Sequence, residues 1–71
     1  MRLTVFIHHD GPEYWSEIAQ LPGCFASGRS LSELHDALSE AVGLYLWDEP
    51  ATIEPSELTV GAGEIEVLRD A

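Results

Sequence analysis

From Arg2 to His9 apolar and polar residues alternate, with Leu3, Val5 and Ile7 on one face and Thr4, Phe6 and His8 on the other. That is the period of a half-buried strand. The period returns from Glu13 to Gln20, where Tyr14, Ser16 and Ile18 oppose Trp15, Glu17 and Ala19. Between them His9-Asp10-Gly11-Pro12 carries turn residues, so the first two strands are predicted to form an antiparallel hairpin. Pro22 fixes φ and Gly23 permits a positive φ, which makes Pro-Gly a type II turn centre. Cys24 to Ser27 follows as a short third strand that closes a meander.

The pattern then changes period. Ser30 and Glu33 form the two ends of a capping box, in which the hydroxyl takes the Glu33 amide and the carboxylate reaches back to the Ser30 amide. From Leu31 to about Trp47 the spacing predicts a helix, with Leu31, Leu34, Leu38, Ala41, Val42 and Tyr45 on one stripe. Ser32, Glu33, Asp36, Ser39 and Glu40 fall opposite, Gly43 is placed on that polar side, and His35 lies at the edge of the apolar stripe. Asp48, Glu49 and Pro50 end the helix, since acids oppose the negative end of its dipole and Pro cannot continue it. Residues 51–63 are the least readable stretch: Pro55 and Ser56 suit the cap of a single turn, and Gly61-Ala62-Gly63 reads as a loop. Glu64 to Leu68 alternates again, with Ile65 and Val67 inward. A strand–helix–strand connection favours a right-handed crossover, which would set this last strand parallel to a neighbour.

These elements predict an α+β fold, β-β-β-α-β, with one helix on one face of a four-stranded mixed sheet. The other face must then meet solvent or another protein. Phe6, His8, Trp15, Glu17, Phe25, Glu64 and Glu66 are the candidate partner-binding residues on that face, with Thr4 and Ala19 beside them. Aromatics mixed with carboxylates suit a basic partner, since aromatic anchors dominate interface energetics. Pro22, Gly23, Cys24, Ser30, Glu33, Leu34 and Leu38 are assigned structural roles at the corner, the cap and the core.

Charge sharpens that picture. Thirteen acidic residues against three basic ones give a formal charge of −10, which repels nucleic-acid phosphates and attracts cationic partners. A length of 71 residues allows one small domain, spanning 1–71, for which oligomerisation, at least as a homodimer, is a common route to stability. The single cysteine, Cys24, precludes an internal disulfide, suits a reducing cytosol, and fits a small buried hydrophobe at the corner. No basic-then-apolar leader opens the chain and no apolar run reaches membrane-spanning length, so a cytoplasmic protein without membrane contact is expected.

At Tyr14-Trp15-Ser16-Glu17, Leu21-Pro22-Gly23-Cys24 and Gly28-Arg29-Ser30-Leu31-Ser32-Glu33-Leu34 the chain resembles the HicB antitoxin family. The resemblance is to that family's N-terminal domain and runs from Met1 to about Trp47, more weakly over the last strand. It implies a partial RNase H-like fold with the last strand beside the first, in the order 3-2-1-4. It also implies a role as the antitoxin of a toxin–antitoxin pair. The partner would be HicA, a small basic toxin that cleaves mRNA using a histidine, neutralised when the antitoxin covers its active site. Many HicB proteins carry a C-terminal DNA-binding module; here the chain ends at Ala71 with only Arg69 basic in the last strand, and no such module is expected. The competing reading is an orphan interaction module of the same fold that has lost its toxin.

No catalytic group, cofactor or metal site is expected. His8-His9-Asp10 has ligand chemistry, but adjacent strand residues point to opposite faces and cannot easily grip one ion. RNase H-like folds include carboxylate-metal nucleases, for which Asp10 and Glu40 would be the nearest candidates. Asp10 follows a strand instead of lying within it, Glu40 falls on the polar helix side, and an acidic surface repels the substrate.

Overall fold

A computed structural model describes residues 1–49, 51–53 and 58–68. The elements run β1 (Arg2–Asp10), β2 (Glu13–Ile18), β3 (Phe25–Gly28), α1 (Leu31–Leu46), β4 (Thr52–Ile53) and β5 (Gly61–Leu68). They build one sheet in the order β3-β2-β1-β5-β4, and each neighbouring pair is antiparallel. The expected four-stranded mixed sheet of RNase H-like type is therefore corrected to five antiparallel strands. The physical reason lies in the return from the helix. A single crossover would have delivered the last strand parallel to β1. The chain instead reverses twice, through β4 and then β5, so β5 lies beside β1 but antiparallel to it.

The meander follows its turn chemistry. Gly11, at φ 60°, and Pro12 form the two-residue loop between the paired Asp10 and Glu13, the left-handed first position that primed hairpin turns demand. At the next corner Gly23 has φ 85° and the Cys24 N–H donates to the Leu21 carbonyl at 3.0 Å, closing a type II turn over Pro22. Ser30 is the N-cap of α1, its hydroxyl accepting from the Glu33 N–H at 3.1 Å. From there the helix runs back along β3, until the Tyr45 hydroxyl donates to the Pro22 carbonyl at 3.1 Å.

One core lies between helix and sheet. Leu3, Val5 and Ile7 from β1 and Ile65 and Val67 from β5 meet Leu34, Leu38 and Val42 of α1, all buried. Two helix residues depart from the expected pattern, one from the apolar stripe and one from the polar side. Tyr45, expected on the apolar stripe, is half exposed and reaches the Pro22 corner with its hydroxyl. Gly43, placed on the polar side, is buried.

The burial of Gly43 has a cause. His35, Ser39 and Gly43 recur every fourth residue along a second side of α1, and the chain after the helix returns over that side. There the Ala51 N–H donates to the Ser39 carbonyl at 2.9 Å and the His35 Nε2–H donates to the Ile53 carbonyl. Ala51, Ile53 and Leu58, from the stretch least readable in sequence, are buried in the core. Small residues at 39 and 43 let the returning backbone come close, so this side of the helix is covered and not solvated. The suggested turn at Pro55 and Ser56, and Arg69 in the last strand, lie outside the described residues.

Candidate functional site: the open face of the sheet

Strand alternation sends one set of side chains to the core and the other to an uncovered face. Register fixes how the outward set is arranged. In one row Phe25 of β3 opposes Glu17 of β2, which opposes Phe6 of β1, which opposes Ala62 of β5. In the next row Ser27 opposes Trp15, which opposes His8. Directly opposed side chains sit about 5 Å apart at Cβ, close enough to touch.

They do touch. His8 stacks on Trp15 with ring centroids 4.1 Å apart and planes at 21°. His8 Nε2 lies 3.9 Å from Glu17 Oε1, an ion pair whenever the imidazole carries its second proton. Trp15 and Phe25 remain 37% and 61% exposed, values far from those of a finished core. The face therefore presents three aromatic side chains and a carboxylate in adjoining rows, with histidine stacked at one side. Beside them a cleft of about 180 Å³ runs from Phe6, Glu17 and Phe25 to the Leu21–Cys24 corner.

Of the seven expected partner-binding residues, Phe6, His8, Trp15, Glu17 and Phe25 are thus gathered on β1, β2 and β3. Glu64 and Glu66 share the same face but stand on β5, opposite Thr4 and Arg2. Glu66 is already engaged: the Met1 amino group donates to its Oε2 at 3.0 Å, and Arg2 Nε lies 3.9 Å from Oε1. That amino group holds the Glu66 carboxyl below the usual glutamate range.

Gln20 is a contributor that alternation does not reveal. β2 ends at Ile18, and the Gln20 side chain takes over the ladder at Thr4, accepting from its N–H at 2.8 Å and donating to its Oγ1 at 3.1 Å. Just ahead of it the Ala19 N–H donates to the Thr4 carbonyl at 3.0 Å. The signal for this role is only a glutamine just past a strand end, which many chains carry without consequence.

The remaining candidates separate. His9 stacks on Tyr14, centroids 4.1 Å apart and rings parallel, so His8 and His9 are committed to different partners on different faces. Asp10, expected to follow the first strand, is instead its last residue, paired with Glu13 across the hairpin and exposed, and Glu40 is exposed on α1. Among the described residues no group of three His, Cys, Asp or Glu side chains is placed to hold a metal ion. Cys24 is buried, and loss of solvation pushes its thiol above the ordinary value, away from thiolate chemistry. No helix among the described residues is long and apolar enough to cross a membrane.

No protein-family model and no solved structure matches the chain. A UPF0150 protein of Archaeoglobus fulgidus is 32% identical over 68 residues, covering 94% of this chain and 96% of its own length. With identity at that level along nearly the whole of both chains, the protein belongs to the UPF0150 family.

Proposed function

We propose that this protein is a binding module whose open sheet face covers a small basic protein, and that this partner is a HicA-like toxin neutralised when its mRNA-cleaving site is occluded. The observation that carries the reading is the aromatic and carboxylate cluster of Phe6, His8, Trp15, Glu17 and Phe25 on an uncovered sheet face. Aromatic anchors supply most of the energy of typical interfaces, while charge sets partner choice and association rate. A formal charge of −10 favours a polycationic partner and lets the protein stand in for the polyanion such a partner would otherwise bind. Recognition, not catalysis, is the activity assigned. A reducing cytoplasm suits its one free, buried cysteine.

The edge of β3, which has β2 as its neighbour on one side only, is the surface we assign to self-pairing as a homodimer. Strand addition there leaves the open face available to the partner.

The test is neutralisation of, and titration against, a HicA-like toxin. Trp15→Ala should weaken binding by about 2 kcal/mol or more, as for removal of an interface anchor. Glu17→Lys should slow association, with an effect that shrinks as salt rises. If both folded variants neutralise the toxin as well as the parent does, the open face is not the binding surface. An orphan module would instead show no binding by parent or variants, with a dimer by light scattering.

A further inference from the structure

We infer that the cleft at the Leu21–Cys24 corner is an arginine pocket: it receives one guanidinium side chain of the basic partner, seated on Glu17 and clasped between Phe6 and Phe25. This rests on the open face being a partner surface and adds what that surface selects.

The register is the first support. Glu17 is opposed by Phe25 on one side and by Phe6 on the other, so a carboxylate stands between two phenyl rings in a single cross-strand row. The cleft itself is the second. It extends from that row to walls made by Leu21, Pro22 and Cys24, and its volume of about 180 Å³ holds one long side chain. Pockets for drug-sized ligands run larger, at roughly 300–1,000 Å³.

Charge is the third. The chain has three basic residues, Arg2, Arg29 and Arg69, and no lysine. Arg2 lies against Glu66 on the other side of the face, and Arg29 follows the far end of β3. Among the described residues, the cationic group near Glu17 is His8 at 3.9 Å, and only when protonated. A cation from outside therefore completes the row.

Guanidinium fits these walls better than ammonium. It is planar and weakly hydrated, stacks on ring faces, and offers a fork of N–H donors to one carboxylate. A lysine head would surrender a tighter hydration shell to enter the same apolar walls.

The test is a chemical-shift titration of the isotope-labelled protein with N-acetyl-arginine methylamide, its lysine counterpart and its citrulline counterpart. Citrulline keeps the shape of arginine and removes the charge. The expected result is saturable shifts at the amides of Glu17, Gly23 and Phe25 with the arginine derivative, weaker ones with lysine and none with citrulline. Glu17→Gln should weaken the arginine response roughly tenfold, as for loss of a charge-assisted contact. Phe25→Ala, at an exposed position that leaves the core untouched, should weaken it as well. Equal responses to citrulline and arginine, an unchanged response in Glu17→Gln, or a silent corner up to the solubility limit each overturn the pocket. If the corner stays silent while the toxin still binds in a Trp15-dependent way, the open-face reading stands and the pocket alone falls. If arginine saturates the corner but no toxin binds, the pocket stands and the toxin reading falls.

Discussion

Gly28 ends β3 two residues before the helix cap, and its hydrogen side chain is what lets strand and helix meet. A Cβ built there would stand 2.6 Å from the Leu34 nitrogen, 2.9 Å from the Glu33 carbonyl carbon and 2.8 Å from the Glu33 Cβ. Two of those atoms are backbone of the first helical turn. They are held in place by the Ser30 hydroxyl and by the Leu34 N–H donating to the Ser30 carbonyl at 2.9 Å. No rotamer relieves such a clash, so Gly28→Ala must push the helix start off the sheet. Overpacking of this kind costs about 1–3 kcal/mol. The stiffer unfolded chain returns about 0.4–1 kcal/mol of it. The net loss, at most about 2.6 kcal/mol, centres on about 1.3 kcal/mol, which corresponds to a fall in melting temperature of roughly 5–10 °C for a domain of this size. Gly63 is the matched control. A Cβ there meets nothing within 4 Å, and its φ is not among the positive ones, so Gly63→Ala should gain about 0.4–1 kcal/mol through the unfolded state. Thermal and urea melts followed by circular dichroism read both. If Gly28→Ala melts at or above the parent, or if the two variants shift in the same direction, the close approach of β3 to α1 is wrong.

Two further outcomes follow from particular backbone and charge placements. Asp48 takes φ 64° just past the helix end, a left-handed conformation that suits glycine, and places an acidic residue next to the negative end of the dipole. Asp48→Gly should therefore add about 0.5–1.5 kcal/mol, and calorimetry showing an unchanged or lower melting temperature would refute this. Glu66 has its carboxyl lowered chiefly by the Met1 amino group, so its stabilising contribution is present above the ordinary glutamate value near about 4.3. That contribution is lost as pH falls through the lowered folded value. Glu66→Gln should be slightly less stable than the parent at neutral pH, with the gap closing in acid and shrinking with salt. A gap that stays constant from neutral to strongly acidic pH contradicts the assignment.

What sequence reading reached and missed follows from the range of each signal. The hairpin, the Pro22-Gly23 turn and the Ser30 cap are set by residues within four positions of one another, and their conformations follow from those residues. Strand alternation likewise fixed which side chains of β1 and β2 face outward. β4 gave no such signal, because Thr52–Ile53 is too short for any period to show. Gly61 and Gly63 read as loop because glycine is poor in strands, yet they pair with Ile7 and Val5, where the ladder overrides propensity. Those two misreadings together turned an antiparallel sheet into a mixed one. The covered side of α1 was hidden for a different reason. His35, Ser39 and Gly43 score as polar or neutral, although small size and a ring that bonds Ile53 are what a returning backbone requires. As for the candidate site, the outward placement of its side chains could be read from alternation, but the cleft and the Phe25–Glu17–Phe6 row depend on register between three strands. Turns and tertiary packing set that register, and no local pattern records it.

The double covering of α1 also bears on why one sheet face can stay bare. A chain of 71 residues has little apolar surface to spare, and leaving Trp15 and Phe25 exposed gives up part of it. The loss is offset by closing the core from two directions, with the sheet against Leu34, Leu38 and Val42 and the returning chain bringing Ala51, Ile53 and Leu58. None of those contacts passes through the open face. Trp15 stacks on His8, and neither belongs to the buried cluster. The buried core and the face proposed for recognition therefore lie on opposite sides of the same strands, separated by the thickness of one sheet. Leu38→Ala should cost about 2–5 kcal/mol by opening a cavity in the core, whereas truncating Trp15 or Phe25 removes side chains with no cavity to leave. A partner bound to the open face then raises stability only through mass action, in proportion to its concentration over its dissociation constant. For that reason loss of binding in Trp15→Ala can be read as loss of an anchor, with the accompanying loss of stability in the absence of partner held to about 0.2–1 kcal/mol, the value of its stack on His8.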